Sequence, residues 1–139
     1  MKALVLDGSI TLGFILRDER SPAALKVLER LEAGLAAFVP AHWHLEVANG
    51  LIMAERRRRA TQADITEALQ LIQALPVATD PETAQRATSD TAALARQFHL
   101  TIYDAAYLEL ALRRKAALST TDHDLAKAAK ASGVEVFVG

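Results

Sequence analysis

Short apolar runs recur along the chain, and between them apolar residues return at helical spacing. Ala3-Leu4-Val5-Leu6, Ala37-Phe38-Val39, Val77-Ala78-Thr79, Ala116 to Thr120 and Val134 to Val138 each read as a strand. Continuous apolar character without polar alternation is what a strand covered on both faces requires. The segments between them read as helices. Ser9 is placed to cap one that runs through Ile10, Phe14, Ile15 and Leu16. Ser21-Pro22 starts a second, a cap followed by proline at the first helical position. A third spans about His42 to Arg59, with Trp43, Val47, Leu51 and Ala54 as its apolar stripe. Thr61 opens a fourth that ends before Pro76, and Asp80-Pro81 a fifth that runs to Phe98. Thr101 caps a sixth that ends near Lys115, and Asp122 begins a seventh that Gly133 ends. Strands alternating with helices predict an α/β fold, a three-layer α/β/α sandwich. Its central, mostly parallel sheet should have about five strands, with residues 1–139 forming one domain.

In such sheets, ligands bind beyond the carboxyl ends of the strands. Asp7 follows the first strand directly and Asp122 follows the fourth, so both point to that end. Glu46 lies inside the third helix, beside its apolar stripe, where an acid without a partner is uncommon. Asp104 opens a helix among Ile102, Tyr103, Ala105, Ala106, Tyr107 and Leu108. Each acid also has an ordinary reading. Asp7 can make a turn, Glu46 can reach solvent, and Asp104 and Asp122 can cap their helices. What unites the four is an apolar setting at the junction of two elements. Four clustered carboxylates repel unless protonated or neutralised. A divalent cation neutralises them, and an all-oxygen donor set suits Mg²⁺ or Mn²⁺.

Composition adds exclusions. The net charge is −1, so any attraction to nucleic acid must be local. The chain has no cysteine, which removes disulfides and thiolate metal sites and fits a reducing cytoplasm. The first apolar run ends at Asp7, too early for a signal peptide, and no stretch suffices for a membrane span.

Four blocks carry a family resemblance. They are V-L-D-G-S at 5–9, H-L-E-V-A-N-G-L at 44–51, L-T-I-Y-D-A-A-Y-L-E-L-A at 100–111 and L-S-T-T-D-H-D-L-A at 118–126. Together, and in this order, they resemble the signature blocks of the PIN-domain ribonucleases. The likeness is greatest to the VapC-type toxins of type II toxin–antitoxin modules. It implies a metal-dependent site made of Asp7, Glu46, Asp104 and Asp122. Asp7, Asp104 and Asp122 would bind Mg²⁺ or Mn²⁺ directly, and Glu46 directly, through water or through a second ion. Ser9, Asn49 and Thr120 match supporting positions, and Asp124 stands where it can assist Asp122. Gly8 departs from the small side chain usual there. The implied activity is endoribonuclease cleavage of RNA by metal-activated water. The implied partners are a small cognate antitoxin and a second copy of the chain.

For RNA the candidate cations are Arg56 and Arg57 in the run Arg56–Arg59, Arg113 and Arg114 ahead of Lys115, and Lys127 with Lys130. Basic residues at helix C-termini are also favoured by the helix dipole alone. His42 and His44, two residues apart, do not share a helix face and read as core or exposed residues. The alternative from another class is a non-catalytic PIN-like module that grips RNA or protein. A phosphatase using Asp7 as nucleophile would want a second acid where the chain has Ser9. A phosphorylated receiver domain would need paired acids early in the chain, which are absent.

Overall fold

Leu4, Val5 and Leu6 are fully buried, and the strand that carries them, β1 (Ala3–Leu6), runs through the interior of the sheet. The computed structural model describes residues 1–137. The sheet has four strands in the order β3-β2-β1-β4, with β2 Ala36–Val39, β3 Val77–Thr79 and β4 Ala117–Ser119. Every pairing is parallel, as continuous apolar runs predict. Of the fifth expected strand, Val134 to Val138, the described residues show one parallel bridge, between Leu118 and Val136. In that bridge Leu118 donates to Glu135 and accepts from Phe137, each at 2.9 Å. Val138 lies outside the described residues.

The helices in chain order are α1 (Gly8–Ile15), α2 (Pro22–Glu32), α3 (Trp43–Arg56), α4 (Gln62–Ala74), α5 (Thr83–Arg86), α6 (Ala92–Phe98), α7 (Ile102–Arg114) and α8 (His123–Ala131). α7 packs across β1, β2 and β4, while α1 packs against α2 and α3, and α3 against α4. Gly50 lets α1 and α3 approach closely, since a Cβ there would fall 2.6 Å from Leu12. Trp43 is fully buried between them, and its Nε1–H donates to Thr11 at 3.2 Å. Among the described residues no helix is long and apolar enough to cross a membrane.

Local chemistry fixes the helix ends. The Ser21 hydroxyl accepts from the Ala24 N–H, and Thr61 with Asp64 forms a reciprocal capping box. Three expectations change. Ser9 is not a cap: α1 begins at Gly8, with Asp7 at the cap position and Ser9 inside the first turn. The third helix ends at Arg56, because Arg58 adopts a left-handed φ of 58°. The expected helix from Asp80 to Phe98 starts only at Thr83 and carries a π-helical turn at Ala87–Thr91, through which α5 runs on into α6.

Asp80 stands three residues ahead of α5, and its carboxylate joins the Glu82 amide and the Thr83 hydroxyl to a distant arginine. It takes two hydrogen bonds from Arg113, at 2.7 and 3.0 Å. Arg113 also donates to Glu109, one turn back in α7, at 2.8 and 2.9 Å, and reaches Glu82 at 3.3 Å. Burial opposes the charge on Asp80, but Arg113, the Glu82 amide and Thr83 outweigh it and hold its carboxyl below the usual range. The Arg113→Met substitution should cost roughly 3 kcal/mol, because it strands two nearly buried carboxylates. Urea unfolding measures this, and a loss under about 1 kcal/mol would mean that solvent screens the cluster.

Candidate functional site

The strand order places the chain's crossover point at β1. From β1 the chain moves to β2 on one side, and later reaches β4 on the other. The crevice beyond the carboxyl ends of β1 and β4 is where such a sheet leaves room for a ligand. Asp7 stands at the end of β1 and Asp122 just beyond β4. Glu46 lies in the first turn of α3, the helix that follows β2, and Asp104 in the first turn of α7.

Asp7 is the best held of the four. It is only 5% exposed, and its N–H donates to the Ser119 carbonyl at 3.0 Å, tying β1 to β4. Ser9 donates to its Oδ2 at 2.8 Å, and Thr120 makes a short hydrogen bond to the same oxygen. Neither hydroxyl is free to turn away. Ser9 accepts from the Thr121 N–H at 3.1 Å, and Thr120 from the Asp122 N–H at 3.0 Å. Thr11 donates to the Asp7 carbonyl at 3.0 Å while accepting from Trp43. The side-chain hydroxyls gather on Oδ2, and Oδ1 receives none of them.

The remaining acids lie close enough to act on one another. Burial pushes the Asp7 carboxyl above its ordinary range against the pull of Thr120 and Ser9, and the Glu46 charge adds to the rise. Asp104, half-buried, is also raised, first by burial and then by Asp122, Asp7 and Glu46. A Cβ on Gly8 would lie 3.6 Å from Glu46 Oε2, which is ordinary contact. The Glu46 carboxylate therefore lies against the β1–α1 turn, and alanine would fit at position 8. Asp122 accepts from the Leu125 N–H at 2.9 Å, capping α8 with one oxygen. Asp104 takes no part in a reciprocal box; its N–H donates to Thr101 at 3.1 Å.

Two side chains to which the sequence analysis gave no role in the site border this cluster. His42 Nε2 lies 3.0 Å from Glu46 Oε1 and 2.9 Å from the Tyr103 carbonyl. Burial disfavours its charged form, but Glu46, the Tyr103 carbonyl and Asp104 outweigh this and raise the imidazole pKa. Tyr107 is fully buried, and among the described residues its hydroxyl has no hydrogen-bond partner. Burial, and then the charges of Glu46, Asp7 and Asp104, push that phenol far above its usual range. A lone histidine or tyrosine in an apolar helix has no sequence signal that separates it from core.

The donor chemistry suits a hard divalent cation. All four acids offer oxygen, and the buried Tyr107 hydroxyl stands unpartnered beside them. Among the described residues no three acidic or histidine side chains form a ready-made cage. Mg²⁺ commonly takes one or two carboxylates and completes its shell with water and substrate oxygens.

The sequence matches the PIN domain family over residues 4–131. The chain belongs to that family. Solved structures share this PIN fold. PAE2754 from Pyrobaculum aerophilum is 19% identical with a TM-score of 0.71, covering 97% of this chain and 83% of that one. VapBC2 from Rickettsia felis, solved bound to a promoter DNA fragment, is 14% identical with a TM-score of 0.65 and 96% coverage of each chain. FitAcB from Neisseria gonorrhoeae is 17% identical with a TM-score of 0.55, again covering 96% of each. No curated protein sequence matches significantly.

Other expected residues fall elsewhere on this PIN domain. Asn49 is exposed, one turn along α3 from Glu46, and bonds none of the acids. Asp124 is exposed and lines a groove with Phe98, His99 and Lys127. Arg113 is spent on Asp80, Glu82 and Glu109, which removes it as a free cation for RNA. Arg114 lies 4.5 Å over the Phe38 ring. Arg59 pairs with Asp18 at 2.7 Å, whereas Arg56 and Arg57 are exposed. Ten residues separate Glu46 from Arg56, about 15 Å along the helix.

The raised pKa values of Asp7 and Asp104 have a thermodynamic sign. The folded chain holds these protons to higher pH than the unfolded chain does. That contribution is whole below the ordinary carboxyl range and is lost as pH rises through the folded-state values. In chelator at neutral pH, Asp104→Asn should therefore raise the Tm, and the gain should shrink as pH falls toward the ordinary carboxyl range. A variant that melts below wild type at neutral pH would contradict the repulsion.

Proposed function

We propose that this PIN domain is a Mg²⁺- or Mn²⁺-dependent endoribonuclease acting as the toxin of a type II toxin–antitoxin pair. What supports the reading is that Asp7, Glu46, Asp104 and Asp122, from four separate segments, lie toward the carboxyl end of the sheet, near enough for the charges of the other three to raise the Asp104 carboxyl. Asp7, Asp104 and Asp122 are the direct ligands in this reading, with Glu46 ligating or holding a water. A bound divalent ion would supply Lewis-acid charge and a lowered water pKa at the scissile phosphate. The chain's own work is positional. Ser9 and Thr120 fix Asp7 so that Oδ1 faces the crevice, and the Asp122 amide keeps Thr120 in place. The Tyr107 hydroxyl keeps its proton and is a donor for a site water. Asn49 and Asp124, both exposed, stand as outer supporting residues. Arg56 and Arg57, with Lys127 and Lys130, are the exposed cations left to meet RNA phosphates.

The partner proposed is a small antitoxin, and the working unit a homodimer in the cytoplasm. Likeness to VapBC2 and FitAcB supports the first, and the absence of cysteine agrees with a reducing compartment. An arginine on the antitoxin would suit the acidic crevice, since a guanidinium pairs with carboxylates bidentately.

The test is incubation of purified, antitoxin-free protein with total RNA, in Mg²⁺, in Mn²⁺ and in chelator. Cleavage should require metal, and Asp104→Asn should slow it at least about a hundredfold, a loss of roughly 3 kcal/mol at the transition state. Equal cleavage by the variant would overturn the site assignment. Metal-independent RNA binding by folded protein, without cleavage, would favour the non-catalytic module.

A further inference from the structure

His42 occupies a position that nothing above requires of a histidine. It directly precedes α3, and its side chain makes no cap for that helix. Its ring reaches instead toward α7. Nε2 stands 3.0 Å from Glu46 Oε1 and 2.9 Å from the Tyr103 carbonyl oxygen. Both neighbours are acceptors, so Nε2 must carry a hydrogen to meet either. The ring plane is set by edge contacts on two aromatics. Its centroid lies 5.8 Å from that of Tyr103 and 5.2 Å from that of Tyr107, at interplanar angles of 60° and 69°. The side chain is 18% exposed, and its contacts on the two tyrosine rings restrict its rotation.

The two acceptors belong to different helices. Glu46 is on α3, and Tyr103 directly precedes Asp104 on α7. Sheet register does not set their spacing, because α3 follows β2 whereas α7 follows α6. Glu46 Oε1 is itself buried, and among the described residues it accepts no hydrogen bond, so the His42 ring 3.0 Å away is the group that faces it. We infer that His42 is a positioning residue for the acidic site, its Nε2–H donated to the Tyr103 carbonyl on α7 while the ring stands 3.0 Å from the Glu46 carboxylate on α3, so fixing Glu46 against Asp104. The inference rests on the metal-site reading above. Nε2 is engaged as a donor, so the ring acts through Glu46 and not as a ligand in its own right.

Mn²⁺ titration calorimetry on the folded, metal-free chain tests this without any RNA. Three variants accompany wild type. His42→Phe keeps a ring against the two tyrosines and removes the donor. His42→Gln keeps an N–H at similar reach, and Asp104→Asn removes a proposed ligand. Circular dichroism confirms that each variant is folded. His42→Phe should weaken Mn²⁺ binding about tenfold or more, and His42→Gln should stay within about threefold of wild type, the range expected for groups that orient ligands. Wild-type affinity in His42→Phe, with Asp104→Asn impaired, would overturn the His42 role and leave the metal site standing. Equal losses in His42→Phe and His42→Gln would also overturn it, since the ring and not its N–H would then be what matters. Unchanged binding in Asp104→Asn would overturn the metal-site reading, and the His42 inference with it.

Discussion

A carboxylate at the end of an interior strand is an expensive thing to keep charged, and much of the site's architecture follows from Asp7. Burial favours its neutral form, so nearby groups must compensate. Two hydroxyls supply hydrogen bonds, and both are locked by backbone amides of the segment that follows β4. The same segment delivers Asp122, so the hydrogen bonds that support Asp7 also set the distance to a second acid. On the other side, Trp43 and Thr11 connect the Asp7 carbonyl to α3, which carries Glu46. The buried acid is thus linked through hydrogen bonds to two elements bearing its partners.

Parallel topology decides where these elements meet. Because β1, β2 and β4 run the same way, their carboxyl ends share one edge of the sheet, and the segments that leave them start there. α7 crosses the same three strands and brings Asp104 to that edge at its first turn. Helix N-termini are also where backbone amides and the dipole temper negative charge. Glu46, Asp104 and Asp122 all use such a position, and only Asp122 spends an oxygen on capping. The repulsion that remains, visible in the raised Asp104 carboxyl, is what an added cation would relieve.

Legibility in the sequence followed the range of the interaction. The apolar runs at Ala3–Leu6, Ala37–Val39 and Ala117–Ser119 read directly as parallel strands because both faces are covered. The caps at Ser21, Thr61 and Thr101 were legible because donor and acceptor are three residues apart. The π-helical turn at Ala87–Thr91 was not, since one extra residue leaves the composition unchanged. Ser9 has the residue type of a cap but bonds Asp7, a preference that only the location of the Asp7 carboxylate decides. Arg113 looked like a solvated helix end because Asp80, its main acceptor outside α7, lies 33 residues earlier. His42 and Tyr107 were hidden for the same reason. Their significance lies in what they face across helices, and helical periodicity alone gives no sign of it.

The central claim is that the four acids surround one place for a divalent ion. It is tested most directly by a crystal of the antitoxin-free protein soaked in Mn²⁺, with data collected at the manganese absorption edge. The account predicts an anomalous peak in the crevice beyond β1 and β4, within coordination distance of Asp7 Oδ1 and of an oxygen of Asp104 or Asp122, and its loss in crystals of Asp104→Asn. A well-occupied peak elsewhere, with the crevice empty at the same Mn²⁺ concentration, would contradict it.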